Sequence, residues 1–85
     1  MPRSVFTEAY AELLALLVET RKGAGVTQVE LAKRLARPQP FVSYIERGER
    51  RIDVVEFVAI ARALNVDPGQ LFTTLLARLP KHIAI

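Results

Sequence analysis

Cysteine is missing from the 85 residues, which excludes disulfides and thiolate-held metals and makes the reducing cytoplasm the expected compartment. Long apolar runs are missing as well. The longest, residues 13–18, falls far short of the roughly 20 residues that a bilayer-crossing helix needs. No secretory signal is expected, because Glu8, Tyr10 and Glu12 interrupt the early apolar residues. Histidine occurs once, as His82 in the tail after Pro80, where a lone imidazole is normally solvated. No glycine-rich phosphate loop, metal-ligand spacing, internal repeat or low-complexity tract is found. The constellation an enzyme requires is therefore lacking, and neither a cofactor nor a metal is expected.

What is present is 51% apolar residues set at helical spacing, with no sustained alternation of the strand type. A chain this short supports one domain over residues 1–85, burying about 60–65% of its unfolded surface. The first helix is expected over residues 4–22, with Phe6, Tyr10, Leu13, Leu14, Leu17 and Val18 on its inner stripe and Gly23 and Gly25 as its stop. Thr27 with Glu30 predicts a capping box that opens a second helix, whose Leu31, Ala32 and Leu35 face inward. Asp53 with Glu56 repeats the device before a helix with an inner face of Val54, Phe57, Ile60, Ala61 and Leu64. Asp67, Pro68 and Gln70 open a fifth, carrying Leu71, Phe72, Leu75, Leu76 and Leu79 until Pro80 ends it.

The stretch between them, with Pro38 and Pro40, has to hold the remaining helix. Proline in a first turn breaks no hydrogen bond, because those amides have no intrahelical partner. A third helix is thus predicted over residues 39–47, with Val42 and Ile45 inward and Gly48 closing it. Its exposed face is Gln39, Pro40, Ser43 and Tyr44.

Charge is unevenly placed. Residues 33–51 hold Lys33, Arg34, Arg37, Arg47, Arg50 and Arg51 against Glu46 and Glu49, a local +4, while the rest of the chain sums to −1. A basic segment on a near-neutral body is what phosphate binding requires.

With the capped helices, "GVTQVELAKRL", "QPFVSYIERG" and "IARALNVDPGQLF" resemble the Cro and phage-repressor (XRE-like) regulators over residues 21–72. The resemblance implies an all-α, five-helix, lambda-repressor-like domain. In it helices two and three, residues 27–47, form a helix-turn-helix with the third helix in the DNA major groove. Carried over, it implies base reading by Gln39, Pro40, Ser43 and Tyr44, with the Gln39 amide suited to adenine and Pro40 to a thymine methyl. It implies phosphate contacts from Thr27 and Gln28 at the start of helix two, and from Arg37, Arg47, Arg50 and Arg51 around helix three. Arg21 and Glu46 would form a structural ion pair between the first and third helices.

The expected function is accordingly sequence-specific double-stranded DNA binding, by a cytoplasmic, nucleoid-associated repressor acting as a homodimer on a palindromic operator. Residues 68–85 are the candidate dimerisation element, with Leu75, Leu76 and Leu79 as contacts. The alternative is an antitoxin or adapter module whose apolar fifth helix and "IAI" ending bind a protein partner. No membrane association is expected.

Overall fold

The computed structural model describes residues 7–84. It contains α1 (Glu8–Gly23), α2 (Gln28–Arg34), α3 (Pro40–Glu46), α4 (Val54–Ala63) and α5 (Pro68–Arg78), with no strand among the described residues. The expected helix start near residue 4, Phe6 on its stripe and the terminal Ile85 lie outside the described residues.

Short polar side chains start four of the helices by accepting a free amide of the first turn. Thr7 accepts from the Tyr10 amide, Thr27 from Glu30, Asp53 from Glu56 and Asp67 from Gly69. The capping box is reciprocal only at α4, where Glu56 Oε1 accepts from the Asp53 amide at 3.0 Å. At α2 the expected return bond is absent, because the Glu30 carboxylate turns one helical turn forward to Arg34 Nε at 3.2 Å. At α5 the Asp67 bond to Gly69 takes the place of the expected partnership with Gln70. The third helix starts differently: Gln39 is its N-cap with helical dihedrals and no side-chain capping bond. The Pro38 carbonyl instead accepts from the Phe41 amide at 3.0 Å, and Pro40 occupies the first helical position, where no amide is needed.

The ends of α1 to α4 share one device. Gly25, Ala36, Gly48 and Asn65 all have positive φ, at 73°, 56°, 76° and 60°. The amide after each reaches back to the carbonyl five residues earlier: Val26 to Arg21, Arg37 to Ala32, Glu49 to Tyr44 and Val66 to Ala61. This left-handed cap satisfies the last carbonyls and turns the chain sharply within two residues. Three of the four positions carry glycine or asparagine, the residues that tolerate it. Ala36, in the turn between α2 and α3, is the strained exception.

The five helices then close on one core. Tyr10, Leu14, Leu16 and Leu17 of α1 meet Leu31, Ala32, Val42 and Ile45 on one side and Phe57, Ile60, Ala61, Leu71 and Leu75 on the other. Leu16 joins this core although it was not on the expected stripe. Three expected core residues are outside it: Val18 is half-buried, Val54 is 78% exposed and Phe72 49% exposed. Val54 is the first residue of α4, beyond the last turn of core contact. Phe72 lies one position round the helix from Leu71 and Leu75, which fill the inward stripe by themselves. Leu75, expected at a dimer seam, is thereby a core residue at 7% exposure.

One charged residue is buried with the core. Arg21 is 7% exposed and donates from Nε to Glu46 Oε2 at 2.6 Å, from Nη2 to Glu46 Oε1 at 3.0 Å and from Nη1 to the Val26 carbonyl at 2.8 Å. The pair ties the end of α1 to the end of α3, as the resemblance implied.

The strained turn and the two kinds of ion pair differ in what they do for stability. Ala36→Gly relieves the left-handed strain and raises the unfolding free energy by about 0.5–1 kcal/mol in urea titration, the gain being limited by glycine's freer unfolded state. Glu46→Ala strands the Arg21 charge and lowers it by about 3 kcal/mol or more. Glu30→Ala, which breaks the exposed pair with Arg34, costs less than about 1 kcal/mol in the same titration.

Candidate nucleic-acid interface

The Arg21–Glu46 pair reaches the surface through Gln28, whose Nε2 donates to Glu46 Oε1 at 2.7 Å. The first residue of α2 is thus fastened to the last residue of α3, and both to α1. Gln28 Nε2 has two hydrogens and directs one at Glu46, so a second donor remains for an outside acceptor. Thr27 beside it is exposed, with its hydroxyl oxygen occupied by the Glu30 amide.

On the outer face of α3, Gln39 and Pro40 are exposed and Tyr44 is 45% exposed. Val42 and Ile45, each 2% exposed, anchor the opposite face in the core. The Gln39 side chain makes no hydrogen bond within the described chain, so both its donor and its acceptor face solvent. Ser43 is half-buried and accepts from Arg47 Nη1. The same guanidinium lies over the Tyr44 ring, 5.4 Å from its centroid. The four residues named from sequence therefore share one surface, and Arg47 joins two of them.

The cations around this face are not all equally available. Arg47 is bidentate to Glu49, at 3.0 and 3.2 Å. That pairing holds the Glu49 carboxyl below its ordinary range and raises the Arg47 guanidinium above its own. Arg50 is bidentate to Glu56, at 3.0 and 2.9 Å, and its guanidinium is raised by that bond. Glu56 is lowered first by Arg50 and then by the Asp53 amide. Arg51 lies over the Tyr10 ring at 4.1 Å. The Tyr10 hydroxyl in turn accepts from the Ile52 amide, fixing the loop between α3 and α4 to α1. Arg37 is exposed in the turn before α3 and rests over the Phe41 ring at 4.8 Å. Arg34 is turned away toward α4, donating to the Ala63 carbonyl at 2.8 Å.

Sequence reasoning passed over Phe41 and counted Glu49 only as a charge, without pairing it to Arg47. Both could have been found from spacing, since Phe41 is four residues from Arg37 and Glu49 two from Arg47. A second exposed surface is apolar. Val54 and Phe72 line a cleft of about 160 Å³ together with Leu13, Ile52, Asp53, Phe57 and Leu75, and Leu76, one turn beyond Phe72 on α5, is 54% exposed. Leu79 is half-buried against the core. The tail packs elsewhere, His82, Ile83 and Ala84 lining a hollow with Thr7, Glu8 and Ala9 at the start of α1. No helix is long and apolar enough to cross a membrane, and the described residues hold no metal-ligating cluster.

This arrangement has close parallels. The family model for a helix-turn-helix domain matches residues 9–73. An XRE-family like protein from Pseudomonas syringae pv. tomato is 51% identical and superposes with a TM-score of 0.79 over 85% of this chain and 88% of that one. A point mutant of the restriction-modification controller protein C.Esp1396I is 25% identical, with a TM-score of 0.77 over 91% of this chain and 98% of that one. The clp gene regulator ClgR from C. glutamicum, 21% identical over 91% of this chain and 100% of that one, shares the fold with a TM-score of 0.74. No curated protein matches the chain. With the motif in α2 and α3 and a family match over most of its length, the chain belongs to the XRE-type helix-turn-helix DNA-binding regulators.

Proposed function

We propose that this protein is a transcriptional repressor that occupies a palindromic operator as a homodimer, each copy laying α3 in a major groove. The observation that carries the reading is the outer face of α3. A free amide at Gln39, an apolar Pro40, and the hydroxyls of Ser43 and Tyr44 stand together on a helix held by the buried Arg21–Glu46 pair. A rigid helix with an unsatisfied amide at its entrance suits base-edge readout, because the amide of glutamine can pair bidentately with adenine. Gln28 and Thr27 at the start of α2, with Arg37, Arg47, Arg50 and Arg51 around α3, form the phosphate-gripping rim. For all four arginines, which have internal partners, binding DNA is an exchange: phosphate replaces a carboxylate or joins an aromatic ring.

A single unit of this size reads few bases, so useful affinity calls for two copies on a two-fold site. The apolar surface of Val54, Phe72 and Leu76 supplies a seam for the second copy. Phe72 and Leu76 lie one turn apart on α5, and Phe72 packs edge-on against the buried Phe57 ring at 6.2 Å. Capturing duplexes from a random pool tests the reading directly. Enriched sites should be inverted repeats with half-sites about 10 base pairs apart, and a pool that yields no enrichment, or only asymmetric sites, defeats it.

Two variant series refine the assignment. On the selected duplex, Gln39→Ala should lose about 1–3 kcal/mol at one operator position and leave random-DNA affinity unchanged. Arg51→Ala should weaken both alike and reduce the slope of log affinity against log salt by about 0.9. In sedimentation, the wild type should be a dimer at micromolar concentration, and Phe72→Glu with Leu76→Glu should give a folded monomer. A wild-type monomer that binds DNA two per site would remove α5 from the interface, and a complex with a different protein on this face would favour the adapter reading.

A further inference from the structure

Phe41, the second residue of α3, is half-buried where α2, α3 and α4 meet, in a hollow shared with Leu35, Arg37, Glu56, Ala59 and Ile60. Two guanidiniums converge on its ring, Arg37 at 4.8 Å and Arg50 at 4.9 Å from the centroid. Their circumstances differ. Arg50 gives two hydrogen bonds to Glu56 and a third to the Arg51 carbonyl, so its charge is met within the fold. Arg37 has no side-chain hydrogen bond or ion pair among the described residues. Glu56 stands close enough to feel its charge, but the Glu56 oxygens already accept from Arg50 and from the Asp53 amide. The ring is therefore what places the Arg37 guanidinium, and its N–H donors are left without acceptors in the fold.

An arginine on an exposed turn normally samples many rotamers and surrenders that freedom when it grips a phosphate. A guanidinium stacked on an aromatic face is restrained in advance while its in-plane donors still point outward. We propose that Phe41 is a positioning residue for DNA binding, its ring holding Arg37 ready for a backbone phosphate beside the entrance of α3, while Glu56 detains Arg50, the other cation on the ring. The proposal rests on the placement of α3 against DNA given under Proposed function. It separates two properties that one side chain usually carries together: Arg37 supplies the charge, and Phe41 supplies its position.

The test is a double-mutant cycle of Phe41→Leu and Arg37→Ala, with binding to a random-sequence 20-base-pair duplex measured across a salt series. Phe41→Leu should weaken binding about two- to fivefold with the salt slope retained, because the cation is still present but unplaced. Arg37→Ala should weaken binding and lower the slope by about 0.9. The double variant should match Arg37→Ala alone, and Phe41→Tyr, which keeps the ring, should bind as the wild type does. A purely structural role for Phe41 predicts losses that multiply, which would overturn the proposal, as would a Phe41→Leu variant that binds like the wild type. A second measurement needs no variant. In the wild-type protein the Arg37 side-chain protons should show an upfield ring-current shift that Lys33 lacks, and ordinary shifts there would equally overturn it. If the wild type binds no duplex at low salt, the DNA reading itself falls, whereas binding with a multiplicative cycle removes only the role of Phe41.

Discussion

The placing of the outer face of α3 depends on the Glu46 carboxylate. Its two oxygens accept from Arg21 Nε and Nη2, and one of them also accepts from Gln28, so three helices meet at a single, largely buried anion. Removing a charge pair of this kind from water carries a desolvation cost that its attraction only partly recovers, so the pair is not there mainly for stability. Its geometric effect is larger. The third helix is seven residues long, too short to be stable by itself, and it gains its orientation from what holds its two ends. Val42 and Ile45 press it against the core, and the ion pair sets its rotation about that contact. The side chains on the outer face inherit that angle.

The same surface shows how little of a formal charge count is available to a ligand. The +4 of residues 33–51 already counts Glu49 against Arg47, and Glu56 from outside the segment neutralises Arg50 as well. Exposed pairs of this type contribute little to folding, but they keep flexible cations in defined places and screen them from one another. On the proposed reading, a phosphate would meet arginines already held near the helix, and affinity would be set by exchange of one anion for another, not by the sum of the positive charges.

The fold was largely legible from local signals, because helix starts and stops are short-range events. Thr27, Asp53 and Asp67 were readable as caps, and Gly25 and Gly48 as stops. The left-handed turn at Ala36 was not, since alanine ordinarily favours the interior of a helix, and only its surroundings force it into that conformation. Burial was readable where one helical stripe met one neighbour, as for Val42 and Ile45. It failed for Val54 and Phe72, where apolar residues cover more of the helix circumference than the core can accept, while Leu75, offered both as core and as seam, is core. Within the candidate site, the Arg21–Glu46 pair followed from the family resemblance. The contacts of Arg37 with Phe41 and of Arg47 with Glu49 are short-range and open to spacing, whereas Arg51 and Tyr10, 41 residues apart, meet only in the folded geometry.

The four left-handed helix ends carry a further meaning for how the chain reaches this state. Each is closed by bonds that span at most five residues, and each is followed within a few residues by the cap of the next element. The direction of every turn from α1 to α5 is thus written into the segment that makes it. Little loop-closure entropy has to be met before native contacts form, which places the chain among the low contact-order topologies that fold in microseconds to milliseconds. A newly made copy would present the outer face of α3 almost as soon as the last helix is available to close the core, so the time needed to become competent is set by synthesis, not by the search for the fold.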